Sequence, residues 1–198
     1  MMTIRIRYFI FAIIIFGFSV TLTRCEEEST VQSISYFPLA VGNSWTYAPS
    51  DTFYSQPFQF QLTERNGDTV KLVRPPGQSH SGTVTLLDHC DEIDLLLGNQ
   101  GFVPFYRFTV NNSWLRCDTW ECDDSSRWIV VTEPNPIITP AGIFSNCIRI
   151  ERQSTTPCPD AGTMFEWWAP GVGLVKWDEL NYYAGGPLSF YLIDYTIH

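Results

Sequence analysis

Carboxylates crowd two short stretches of this chain, and each stretch includes cysteine. Asp88, Asp91, Glu92 and Asp94 surround His89 and Cys90, and Asp118, Glu121, Asp123 and Asp124 surround Cys122. Thiolate, imidazole and carboxylate together are zinc-binding chemistry. The chain has only three histidines, His80, His89 and His198, and no CxxC pair. Neighbours on an extended chain point to opposite faces, so the His89–Cys90 run makes a poor chelate and is expected to be a solvated acidic loop. The second stretch offers oxygen ligands for calcium, yet it lacks the glycine bend and terminal glutamate of an EF-hand. It is expected to be a solvated loop bounded by cysteines. Paired carboxylates also cleave glycosides, and Glu121, Asp123, Asp124, Glu166 and Asp178 are the candidates for such a secreted hydrolase. No GxSxG elbow is present, and none of the histidines sits where it would serve a nucleophile. No catalytic, cofactor-binding or metal residue is assigned from the sequence, and a binding role is preferred to an enzymatic one.

Gly171, Val172 and Gly173 imitate part of a nucleotide fingerprint. A dinucleotide loop needs a third glycine and a following helix, and Leu174–Trp177 is strand-like. A Walker loop is excluded because Lys176 lacks the glycine and hydroxyl neighbours. Seven tryptophans give a stronger hint of binding, since exposed Trp and Tyr stack on sugars or line lipid-sized pockets. The simpler expectation is that Trp45, Trp128, Trp167 and Trp177 fill a core. Trp167 and Trp168 are consecutive, so within a strand they must face opposite sides.

The compartment is set by the amino-terminal residues. Arg5 and Arg7 precede an apolar run from Tyr8 to Leu22, the layout of an export signal, and the run is short for a membrane span of roughly 20 residues. Residues 1–24 are read as a signal peptide and 25–34 as a polar tether, followed by one domain over 35–198. Cys25 is a candidate lipidated first residue, although Arg24 stands where lipoprotein signals carry a small residue. Loss of residues 1–24 would remove Arg5, Arg7 and Arg24. Nine basic residues would then face 21 acidic ones, a charge of about −12. Such a surface repels phosphate backbones, so no nucleic acid partner is expected.

Six cysteines in an exported chain suggest disulfides. Sequence leaves the pairing open among Cys90, Cys117, Cys122, Cys147 and Cys158, with Cys25 joining only if it carries no lipid. One arrangement leaves Cys147 as a buried free thiol; another joins it to Cys158; Cys117 and Cys122 are close enough in sequence to close a short loop.

Period-two patterning dominates the elements that would position these residues. Phe58, Phe60 and Leu62 alternate with polar residues, Asn66-Gly67 supplies a turn, and Thr69–Arg74 returns with Val70 and Leu72 aligned, a hairpin pattern. Further strands are expected at Gly82–Leu87, Phe105–Val110, Arg127–Thr132, Ile143–Glu151, Thr163–Trp168, Leu174–Trp177 and Leu188–Ile197. In the last of these Tyr191, Ile193, Tyr195 and Ile197 are expected to face the core. Asp91–Leu97 is the one modest helix candidate. Pro and Gly break the chain at Pro75-Pro76, Pro134–Gly142 and Pro170–Gly173. The expected fold is all-β with little helix, an antiparallel curved sheet of about nine to eleven short strands forming an open barrel or sandwich.

Three segments, YFPLAVGNSWTY (Tyr36–Tyr47), TPAGIFSNCIRIE (Thr139–Glu151) and WAPGVGLVKW (Trp168–Trp177), together resemble an uncharacterised family of bacterial exported proteins and lipoproteins, DUF3108-like. Each has a structural rationale. Pro38 and Gly42 bend the entry to a strand carrying Trp45 and Tyr47; Pro140 and Gly142 mark a turn; Pro170 and Gly171 stand where a type II turn wants them, between a strand ending at Trp168 and one restarting at Leu174 after Gly173. The region from about 90 to 127 departs from the pattern and is read as a cysteine-rich insertion. The resemblance implies a bacterial source, which with the export signal makes the expected location periplasmic, surface or extracellular; no cofactor is expected. The expected function is a non-catalytic envelope protein binding an apolar ligand or another envelope component, with lipid, glycan or protein as the partner. It would meet a membrane only through its signal segment or a lipid anchor. A glycosidase-like hydrolase and a carbohydrate-binding β module are the alternatives.

Overall fold

The computed structural model describes residues 35–50, 56–74, 82–89, 91–116, 126–153, 162–181 and 186–198, all within the compact unit Val31–His198. Fourteen strands are found there: β1 (Ser44–Pro49), β2 (Phe58–Asn66), β3 (Thr69–Arg74), β4 (Gly82–Asp88), β5 (Glu92–Leu97), β6 (Gly101–Arg107), β7 (Ser113–Arg116), β8 (Ser126–Thr132), β9 (Ile137–Thr139), β10 (Gly142–Phe144), β11 (Ile148–Gln153), β12 (Gly162–Ala169), β13 (Gly173–Asn181) and β14 (Gly186–Thr196). Twelve form one antiparallel sheet in the order β6-β5-β4-β3-β2-β1-β14-β13-β12-β11-β8-β7, and β9 and β10 pair separately. The all-β curved sheet expected from the sequence is present, with more strands than the nine to eleven foreseen.

The sheet curls until its two edges meet. β6 and β7 touch, and the Trp114 indole N–H donates to the Phe105 carbonyl across the seam at 3.2 Å, so the barrel is nearly closed. Pro104 sits within edge strand β6, the kind of strand in which a sheet tolerates proline. Residues from the region read as an insertion supply both edges and bring Tyr106, Phe108 and Trp114 into the core.

Alternation fills the interior. Trp45 and Tyr47 of β1, Phe58 and Leu62 of β2, Trp128 and Val130 of β8, Ile148 and Ile150 of β11, Val175 and Trp177 of β13, and Phe190 and Leu192 of β14 are all buried. Their rings interlock: Trp177 stacks on Phe190 at 4.6 Å, Tyr47 meets Trp177 at 4.8 Å, and Tyr106 meets Trp168 at 4.6 Å. Such aromatic pairs add about 0.5–1.5 kcal/mol each beyond the area they bury.

Several local expectations are corrected. Asp91–Leu97 is not helical, because Ile93 faces the core and the segment is zipped between β4 and β6 as β5. The expected strand Ile143–Glu151 breaks at Ser145–Cys147, where Asn146 takes φ 57°, a left-handed conformation asparagine tolerates. In β14 the buried residues are Leu188, Phe190 and Leu192, so Tyr191 and Ile193 are not the core face. The register shifts between Thr46 and Tyr47 opposite Leu192 and Asp194, and this bulge reverses the parity of everything beyond it.

Two rims result. At the near rim lie the starts of β1, β5, β7, β11 and β13 and the ends of β6, β8, β12 and β14; at the far rim lie the ends of β1, β7 and β11 and the starts of β2, β8 and β12.

Candidate functional site

The three segments singled out by resemblance are far apart in sequence and converge on the near rim. The lead-in from Ser35 to Asn43 crosses this end, burying Phe37 and Leu39, with Phe37 5.2 Å from the Trp168 ring and 5.6 Å from Trp45. Gly171 N–H donates to the Ser35 carbonyl, the Trp45 indole donates to the Val172 carbonyl at 2.6 Å, and the Tyr47 hydroxyl donates to the Leu174 carbonyl at 2.8 Å. Asn43, fully buried, donates through Nδ2 to the Pro38 carbonyl and accepts the His198 amide through Oδ1, tying lead-in to carboxyl terminus. Val172 N–H bonds the Ala169 carbonyl with Gly171 at φ 74°, the turn that Pro170 and Gly171 predict. Gly42 at φ 97° leaves room for the His198 ring, 3.1 Å from where a Cβ would stand.

The hairpin of β9 and β10, turning at Pro140 and Ala141, completes this closure. Ala141 N–H donates to the Leu192 carbonyl, Thr139 and Phe144 are buried, and Phe144 packs on Tyr195 at 6.1 Å. Ile138 and Ile143, paired directly across the ladder, turn to solvent at 71% and 70% exposure. Sequence periodicity made Ile143 part of a continuous strand and passed over Ile138. The proline-rich run Pro134–Pro140 was the only signal of a separate element.

A second candidate lies inside the barrel. Glu166 is 3% exposed, and its carboxylate accepts the Trp168 indole N–H at 3.1 Å and the Tyr106 hydroxyl at 3.4 Å. Arg152 stands opposite Trp128 in register, which places it on the same inward face as Ile150 and Glu166. Burial, first, and the nearby Tyr106 and Glu166, second, push the Tyr47 hydroxyl well above its ordinary value of 10.0. A buried carboxylate is tolerated only with such donors, and this one fixes the orientation of Trp168.

The acids proposed for glycoside cleavage do not assemble here. Glu166 pairs in register with inward Trp177, whereas Asp178 is on the outer face, accepting the Ser189 hydroxyl at 2.7 Å and pairing with Lys176 at 3.3 Å. Glu121, Asp123, Asp124 and Asp118 lie outside the described residues. Near His89, the carboxylates are held by arginines: Asp88 by Arg65 at 3.0 Å, and Glu92 and Asp94 by Arg107 at 3.3 and 2.8 Å. Among the described residues, no group of three metal-ligating side chains occurs. Gly173 leads into strand β13 where a nucleotide loop would need a helix.

Both consecutive tryptophans are covered. Trp168 faces the core; Trp167, on the outer wall, donates to Glu133 at 3.1 Å and lies 4.1 Å beneath the Lys176 ammonium. That cover is a cation–π contact extended by Arg149, which bonds Glu133 and Glu151. Cys147 is a buried free thiol whose Sγ lies 3.4 Å from the Phe144 carbonyl, and burial pushes its pKa up to about 11. Cys25, Cys90, Cys117, Cys122 and Cys158 lie outside the described residues.

Two solved structures resemble this chain. One is a presumed lipoprotein from Parabacteroides distasonis ATCC 8503, 14% identical, matched over 84% of this chain and 100% of its own, with a TM-score of 0.44. The other, a presumed exported protein with a YmcC-like fold from Bacteroides fragilis NCTC 9343, is 13% identical over 82% of this chain and 99% of its own, with a TM-score of 0.46. No protein-family profile matches the chain, so the DUF3108-like resemblance finds no counterpart there. No curated protein matches either.

Proposed function

We propose that this chain is an exported, non-catalytic cell-envelope protein that binds an envelope component through its outer surface. One observation carries the reading: rings from β1, β2, β6, β12, β13 and β14 interlock across the barrel, in the space an enclosed apolar ligand would occupy. Carrier pockets are roughly 300–1,000 Å³ and lined rather than filled by such side chains. Every tryptophan among the described residues is buried, so none of these offers a stacking face to a sugar, and Glu166 and Asp178 lie on opposite faces of the sheet. The signal-like run Tyr8–Leu22, the tether after it and candidate lipidation at Cys25 support export and anchoring.

Native mass spectrometry of protein extracted from its own envelope fraction, with a fatty-acid probe titration, tests the reading. We expect no stoichiometric small apolar ligand and no saturable probe binding, together with recovery of a crosslinked envelope component from intact cells. A lipid retained one-to-one in the folded chain, with the probe displacing it, would overturn the reading in favour of a carrier.

A further inference from the structure

We infer that the near rim is the face this protein lays against a lipid bilayer, with Ile138 and Ile143 entering the headgroup boundary; this rests on the anchoring read above. Position is the first argument. The described chain begins at Ser35, whose carbonyl is fixed to Gly171 on the near rim. Only nine residues lie between Cys25 and Ser35, so the tether spans at most about 35 Å even when fully extended. Turning the far rim to the membrane would require the tether to run the height of a six-residue strand, roughly 20 Å, before reaching lipid. Leaving the near rim toward the anchor requires no such detour. An uncut apolar segment ending at Leu22 would impose nearly the same constraint.

The surface chemistry is the second argument. Exposed apolar residues at this end are Ile138 and Ile143 on the hairpin, Val41 in the lead-in and Val110 in the β6–β7 turn, with Tyr195 half-exposed behind Phe144; Val84, Leu96, Phe102 and Leu115 are exposed toward the far rim, but the two paired isoleucines, at 71% and 70%, are the most exposed of the set. Aliphatic side chains beside a tyrosine suit the lipid interface, whereas protein hot spots favour Trp, Tyr and Arg over Val. The hairpin buries Thr139 and Phe144 and turns its isoleucines away from the barrel, although nothing in its own packing requires apolar residues there. Acidic Asp68, Asp88, Asp91 and Glu133 at the same end add no attraction to anionic lipid. Contact would depend on apolar insertion and on the anchor.

The test places a photo-crosslinking amino acid singly at Val41, Ile138, Ile143 and, as the control near the far rim, exposed Leu115 of the full-length precursor in its own cells. Membrane fractionation and intact mass are read in parallel. The inference expects membrane-bound protein with lipid adducts at Ile138 and Ile143 at least about tenfold above Leu115. It also expects Ile138→Ser with Ile143→Ser to cut lipid adducts at Val41 by about tenfold, because two buried aliphatic side chains would leave the lipid. Membrane-bound protein whose lipid adducts form at Leu115, or whose Ile138 and Ile143 capture a protein or a second copy of this chain, overturns the orientation and leaves anchoring intact. Protein found unacylated and cut in the soluble fraction overturns anchoring, and the inference with it.

Discussion

Gly173→Ala offers a sharp probe of how the near rim is built. Gly173 has φ 112°, and an added Cβ would stand 3.0 Å from Trp45 Nε1 and 3.4 Å from its Cε2. Trp45 is 2% exposed and its indole holds the Val172 carbonyl at 2.6 Å, so the ring cannot retreat without losing that bond. A side chain held at such a φ costs about 1–3 kcal/mol, and loosening one hydrogen bond adds about 1 kcal/mol. The expected loss is therefore about 2–4 kcal/mol, or about 4–16 °C in melting temperature for a domain of this size. Gly67→Ala is the matched control, because Gly67 also has positive φ, 60°, with nothing within 4 Å of its would-be Cβ. It should lose only the backbone cost of about 1–2 kcal/mol. Urea titration of both variants, followed by tryptophan fluorescence, reads the difference. Equal losses in the two variants would refute the claim that Trp45 is seated against the Gly173 backbone.

Other expectations follow from the same geometry. Glu166→Leu leaves the Trp168 indole N–H without its carboxylate acceptor inside the barrel and should cost about 1–3 kcal/mol in urea unfolding; an unchanged midpoint would remove Glu166 from the core network. Cys147 should label slowly with a maleimide in the folded chain at neutral pH and rapidly once unfolded. Its folded pKa of about 11 lies above the ordinary 9.0, so its contribution to stability is whole below pH 9 and is lost as pH rises toward 11. Tyr47, shifted upward in the same sense, strengthens that alkaline decline, and a stability curve flat from pH 8 to 11 would contradict both.

Local chemistry made part of this architecture legible and left part of it hidden. The hairpin Phe58–Arg74 and the Pro170-Gly171 turn were readable because alternation and positive-φ residues act within a few positions. Asp91–Leu97 misled because a short apolar run fits either period, and only pairing with β4 and β6 decides it. The core face of β14 was misread because one bulge opposite Thr46 reverses its parity, and a bulge is a property of two strands together. The candidate site divides along the same line. Pro38, Gly42, Trp45, Trp168 and Gly173 stood out as fold determinants, but their meeting at one rim depends on contacts across more than a hundred residues. Whether Glu166 and Asp178 could cooperate depended wholly on which face of the sheet each takes.

The intact mass of the protein taken from its own cells, with the fraction in which it is found, most directly tests the claim of an exported, anchored barrel acting from its surface. The account predicts a chain running from Cys25 to His198, carrying acyl mass, in the envelope fraction, with no small apolar molecule held inside. A full chain from Met1 free in the cytosol, or a folded chain retaining a stoichiometric lipid after delipidating extraction, would contradict it.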